Sequence, residues 1–145
     1  MPRLKLRLAA LALVLPLIGI GARADEPDPR TPVKLPGPMR QHLLANMRDH
    51  LAAIDQILRC LADDDPDRAA GIAETRLGVS SLARHGAHRL APFLPAGMRR
   101  AGMRMHRAAS HFALTAQEGD AAASYRALGG ITAACVACHA AYRVH

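Results

Sequence analysis

The sequence predicts an all-α protein, an antiparallel four-helix bundle. Three observations carry this. Apolar positions recur at alternating three- and four-residue steps in four segments, two of the links between them are short, and no segment alternates apolar and polar residues as a strand does. Hydrophobic residues make up 50% of the chain, yet it has no Trp and only two each of Tyr and Phe. The core must therefore be built from Ala, Leu, Ile and Met, small side chains that suit close-packed helices crossing at about 20°. Such a core buries little area per residue and would benefit from a large apolar filler.

The chain opens MPRLKLRLAALALVLPLIGIGARA, a basic start at Arg3, Lys5 and Arg7, an apolar run, then the small-x-small site Ala22-Arg23-Ala24. This pattern reads as a secretory signal peptide over residues 1–24, and its apolar run is shorter than the ~20 residues a membrane span needs. No later segment is expected to span a membrane. Residues 25–38, DEPDPRTPVKLPGP, have no period and read as a proline-rich, extended lead-in to one helical domain over residues 39–145.

In the first helical segment Leu44, Met47, Leu51, Ile54, Leu58 and Leu61 form one seam of about six turns. It stops at Asp63-Asp64-Asp65-Pro66. Asp65 then reads as an N-cap with Pro66 at the first helical position, opening a second helix with Ile72, Thr75, Val79, Leu82 and Gly86 on its seam. HGAHRLAPFLPA, from His85 to Ala96, reads as a long connection. The third helix carries Met98, Ala101, Met105, Ala108, Phe112 and Thr115 and is stopped by Glu118-Gly119-Asp120. The fourth carries Ser124, Leu128, Ile131, Cys135, Cys138 and Tyr142.

The whole chain has a formal net charge of +7, but loss of the leader would take four of the 19 Lys and Arg and none of the 12 Asp and Glu, leaving +3. The remaining arginines are scattered, so no nucleic-acid partner is expected. No Ser-His-Asp order, carboxylate pair or phosphate-binding glycine loop stands out, and the chain does not read as an enzyme. Three cysteines in an exported protein cannot all pair, which argues against a disulfide scaffold.

Two of those cysteines fall in Cys135-Val136-Ala137-Cys138-His139, on the seam that points Leu128 and Ile131 inward. A thioredoxin-type dithiol would sit at a helix start after a strand, where the helix dipole lowers a thiol pKa; this pair lies near a helix end. A zinc site would need two more ligands, with Cys60 and one histidine as the available set. Covalent haem attachment uses every residue present. Cysteines three apart stand about one turn from each other, suiting two vinyl groups on one edge of a porphyrin, and the next His can ligate the iron. Attachment of this kind follows export, and the porphyrin would supply the missing apolar body.

The run CVACHAAYR, Cys135 to Arg143, resembles the C-terminal CxxCHxxYR signature of class II c-type cytochromes, the cytochrome c prime and cytochrome c556 group. The resemblance covers nearly the whole domain in helix number and order, but only the last helix carries a specific motif. It implies a four-helix bundle holding one haem c through Cys135 and Cys138, with His139 as proximal iron ligand and Tyr142 and Arg143 flanking that face. Leu128-Gly129 also resembles the family's approach to the first Cys. Gly129 and Gly130 inside a helix cost ~1 kcal/mol each relative to Ala, explained either by close approach of backbone or haem or by a local fray.

Met39-Arg40-Gln41-His42-Leu43-Leu44-Ala45-Asn46-Met47 looks like the family's first helix. Carried across, Leu44 lies over the iron, implying five-coordinate haem that admits small ligands such as NO or CO. A shift of one turn puts Met47 there, giving six-coordinate iron suited to electron transfer. The same alignment places Arg40 near a haem propionate. The implied protein is a periplasmic electron carrier serving redox partner proteins, with NO or CO binding as a second reading, and a non-haem copper or zinc bundle as a third. The related bundles also suggest a homodimer through the first two helices.

Other signals are weaker. His85, His88, His106 and His111 with Met98, Met103 and Met105 raise a second metal site, copper by ligand type. Asp63, Asp65, Asp67 and Glu74 match a calcium loop, but Arg68 stands where that loop needs Gly. Cys60 reads as a small core residue or a partly buried thiol.

Overall fold

The computed structural model describes residues 27–145, so the expected signal peptide and the first two lead-in residues lie outside the described residues. The described chain is mostly helical: α1 (Gly37–Ala62), α2 (Pro66–Arg76), a short α3 (Ala87–Leu90), α4 (Ala96–Gln117) and α5 (Ala121–Ala141). Two 3₁₀ turns, Val79–Ser81 and Ala91–Phe93, flank α3. α4 packs along α5, and α2 packs against both α1 and α4.

The caps form where the local sequence places them. Asp65 accepts the Arg68 backbone N–H at 3.1 Å, with Pro66 opening α2. Asp120 accepts from the Ala123 N–H at 2.9 Å to open α5, after a turn at Gly119 with φ +77°. α2 is shorter than its apolar spacing implies, ending at Arg76 rather than running to Gly86. Its last carbonyls find partners that end the helix: Ala73 accepts from the Gly78 N–H at 2.8 Å, Glu74 from the Ser80 hydroxyl at 2.8 Å, and Thr75 from the Arg84 guanidinium. The connection to α4 is correspondingly longer than His85 to Ala96.

The lead-in is not simply extended chain. Thr31–Val33 (β1) pairs in parallel with Tyr142–Val144 (β2), Pro32 opposite Arg143. Tyr142 is thus the first residue of a strand rather than part of the last helix, its N–H still bonded to the Cys138 carbonyl. Asp28 holds the two ends together, contacting Arg30 at 2.7 Å and Arg143 at 3.3 Å. The Arg30 guanidinium beside it holds the Asp28 carboxyl well below the usual carboxylate range.

One core joins all four long helices: Ala53, Ile57 and Cys60 of α1, Ala69 and Ala73 of α2, Phe112 and Ala116 of α4, Leu128 and Ile131 of α5. The fully buried residues of α2 there are all alanines, with Ile72 packed at the edge, which lets α1 and α4 approach it closely. Arg76 fastens α2 to α1 by pairing with Asp49 and donating to Gln56 Oε1 at 2.8 Å.

The buried stripe of α1 differs from the expected seam. It runs through Leu43, Asn46, His50, Ala53, Ile57 and Cys60, one position earlier, and leaves Leu51 70% and Leu58 43% exposed. Both sets share the same three-and-four spacing. The one with small and polar members faces inward because Ala53 must fit against the alanines of α2, while Asn46 and His50 have buried partners.

The expectation of no membrane-length helix also fails for the described residues. α5 is long and apolar enough to cross a membrane by length and composition, since Ala, Gly and Cys dominate it and Arg126 is its only charge. It nonetheless buries Ser124, Leu128 and Ile131 against the other helices. A Cβ on Gly129 or Gly130 would meet nothing within 4 Å, and α5 runs through both unbroken. Neither close approach of another backbone nor a fray accounts for the pair.

Candidate functional site

At one end of the helices lies a cavity of about 580 Å³, within the usual range for a cofactor or small-molecule site. Its walls are chiefly apolar. Leu43, Leu44 and Met47 come from α1, Leu82, Leu90 and Leu94 from the connection, and Met98, Met103 and Met105 from α4. Cys138 and His139 of α5 complete it together with Tyr142, Arg143 and Val144.

The structure therefore brings Cys138 and His139 to the same space as Leu44 and Met47, residues some ninety positions earlier. His139 is exposed where it borders the cavity, and Cys138 is half-buried. Cys135 is not in the lining; it is half-buried one turn back and packs against the core. Burial pushes both thiols up from their ordinary pKa, with Cys135 adding to the effect on Cys138. They stay protonated at neutral pH, unlike the activated thiol of a dithiol oxidoreductase. Cys60 is buried in the core.

Arg40, expected near a haem propionate, is exposed on α1 and outside the lining. Arg30, Arg99 and Arg143 line the cavity instead. Only Arg143 was legible, through its motif. Arg99 donates to the Leu94 carbonyl at 2.7 Å, a position no spacing rule marks. Tyr142 packs its hydroxyl against Gly97 so closely that a Cβ there would collide, which explains a glycine in the first turn of α4.

The polar part of the wall was legible only in part: His85 and His106 were singled out in sequence, Asn46 and His50 were not. His50, His85 and His106 cluster there, with ring centroids 4.7 Å apart for His50 and His85 and 5.6 Å for His85 and His106. Of the histidines suggested for a second metal site, His88 and His111 are exposed, and His50, not among them, takes part. Among the described residues no three His, Cys, Asp or Glu side chains are set to hold a metal ion. The second seam of α1, with Asn46 and His50 four apart, was the signal that could have found this wall.

Hydrogen bonds orient the cluster. The Ser81 hydroxyl donates to the Gly78 carbonyl at 2.6 Å, and His106 Nδ1–H donates to the Leu77 carbonyl at 2.7 Å. His42 Nε2–H and Asn46 Nδ2 both donate to the His85 carbonyl, at 2.9 and 3.0 Å. Burial, reinforced by the neighbouring imidazoles, lowers His50 and His85 to about 4. Both are neutral at physiological pH.

A porphyrin suits this site: the cavity is apolar, one cysteine and the following His border it, and buried neutral imidazoles add no charge to the wall. No family model, curated protein or solved structure matches this chain.

Proposed function

We propose that this protein is an exported mono-haem c-type cytochrome of the class II kind, its α1, α2, α4 and α5 forming an antiparallel four-helix bundle, that carries electrons to and from periplasmic redox partner proteins. The observation that carries the reading is one cavity bordered at once by Cys138 and His139 of the CVACH run and by Leu44 and Met47 of α1. Bound haem would supply the one-electron change between ferric and ferrous iron.

The chain's own part is attachment and shielding. Cys135 and Cys138 would hold the haem through thioethers, each S–H adding across a vinyl group with no oxidant consumed. His139 would hold the iron through an imidazole lone pair. The leucines and methionines of the walls exclude water, which keeps reorganisation on electron transfer small. Arg30, Arg99 and Arg143 supply positive charge for the carboxylates of the porphyrin edge. A second reading, NO or CO binding at five-coordinate iron, draws on Leu44, a hydrocarbon group in the wall.

Leu51 and Leu58 give α1 an exposed apolar face suited to a second copy of the chain. A Leu51→Glu change should then convert a dimer to monomer in light scattering after size exclusion, and an unchanged mass would remove the face from consideration.

Expression with c-type maturation machinery tests the main reading. The intact mass should rise by one haem, and a pyridine haemochrome should report both thioethers. Cys138→Ala should weaken covalent retention, and replacing His139 should alter the iron spectrum. Protein with no added mass and both thiols open to alkylation would refute it.

A further inference from the structure

We infer that His85, rather than Leu44 or Met47, is the residue that ligates the iron on the side away from His139. The inference rests on the haem reading. Its starting point is an orphan: His85 is only 6% exposed, lines the cavity, and its Nε2 is buried without a hydrogen-bond partner. A buried polar atom with no partner is costly and demands an explanation. Its neighbours lack this feature, since neither His50 nor His106 has a buried ring nitrogen without a partner.

The hydrogen bonds around His85 define which nitrogen is free to donate electrons. Ser81 spends its only hydrogen on the Gly78 carbonyl at 2.6 Å, so its oxygen, 3.3 Å from His85 Nδ1, must accept from that ring. With His50 Nε2, 3.5 Å from the same Nδ1, as a second and longer acceptor contact, this assigns His85 the Nδ1–H tautomer and leaves Nε2 with a bare lone pair. A ring N–H held by a protein oxygen with the opposite nitrogen free is the arrangement metal-ligating histidines adopt. Donation of that lone pair to iron moves no proton.

The backbone is held as firmly. Gly86 adopts φ +63°, where a Cβ would meet His42 Nε2 at 2.9 Å, and the His85 carbonyl takes hydrogen bonds from His42 and Asn46 of α1. His85 is thus tied to the α1 side of the cavity, whereas His139 enters from α5.

Electron paramagnetic resonance and optical spectra of the matured, ferric holoprotein test this. The wild type should be low-spin with the signature of two imidazoles. His85→Gly should turn it high-spin, added free imidazole should restore the low-spin form, and Met47→Leu should change nothing. A high-spin wild type, a low-spin form that survives His85→Gly, or a methionine-to-iron charge-transfer band lost with Met47→Leu would overturn the assignment while leaving covalent haem in place. If His85→Gly does not fold, the wild-type spectrum alone decides between imidazole and thioether. Absence of covalent haem would overturn this inference and the haem reading together.

Discussion

The two ends of the helices are built on opposite principles. Around Phe112, Ile57, Ile131 and the alanines of α2 the interior is almost wholly apolar, with Ser124 its buried polar side chain on α5. At the other end the same α1 and α4 bury Asn46, His50 and His106 beside a cavity of about 580 Å³. One end gains stability from contact area; the other gives up contact area for space and fixed polar groups. A domain with few aromatics can maintain such an open end because Phe112, Ile57 and Ile131 are fully buried at the closed end.

The largest effect should come from breaking the closed end. Phe112 is its biggest fully buried side chain, and Phe112→Ala should cost about 3–5 kcal/mol in urea unfolding. A loss below ~1 kcal/mol would show that the ends are not different in kind.

Acid should act on the open end. His50 and His85 sit at about 4 in the fold, below the 6.5 of an ordinary imidazole. The unfolded chain therefore takes up protons that the fold refuses. Stability is complete above about pH 6.5 and falls as pH drops toward 4, by on the order of 3 kcal/mol, since the two sites are coupled and do not add. Urea midpoints of the haem-free Cys135→Ala/Cys138→Ala protein should show this slope; a flat profile between those limits would mean the imidazoles are not held neutral.

Smaller still is the expected effect of Met98→Ala. Met98 is half-buried and already borders open space, so about 1 kcal/mol should be lost. A loss matching that of Phe112→Ala would place the cavity wall among the main supports of the fold. Last, Gly130→Ala should stabilise by about 0.5–1 kcal/mol, because the site is open and helical. A loss on thermal melting would reveal a hidden contact at that face.

Much of this was readable before any coordinates. The Asp65-Pro66 and Asp120 starts, the stop at Gly119, and the seam of α4 from Ala101 through Met105 to Phe112 all appear as expected. The α1 seam misled because Leu44, Leu51 and Leu58 are more apolar than Asn46, His50 and Ala53, and hydrophobicity alone favours the wrong face. α2 misled because its end is determined by Ser80 and Arg84, side chains beyond the helix.

The sequence by itself determined that α1, α2, α4 and α5 are helical, the Asp65 and Asp120 caps, and the placing of two cysteines and a histidine at the end of the last helix. These depend on interactions within a few residues, and short-range spacing encodes them. Only the tertiary structure decided that α1 buries its polar seam, that His50, His85 and His106 meet, and that Thr31–Val33 joins Tyr142–Val144. Those outcomes are fixed by packing and hydrogen bonds between residues far apart in the chain, for which no local pattern stands in.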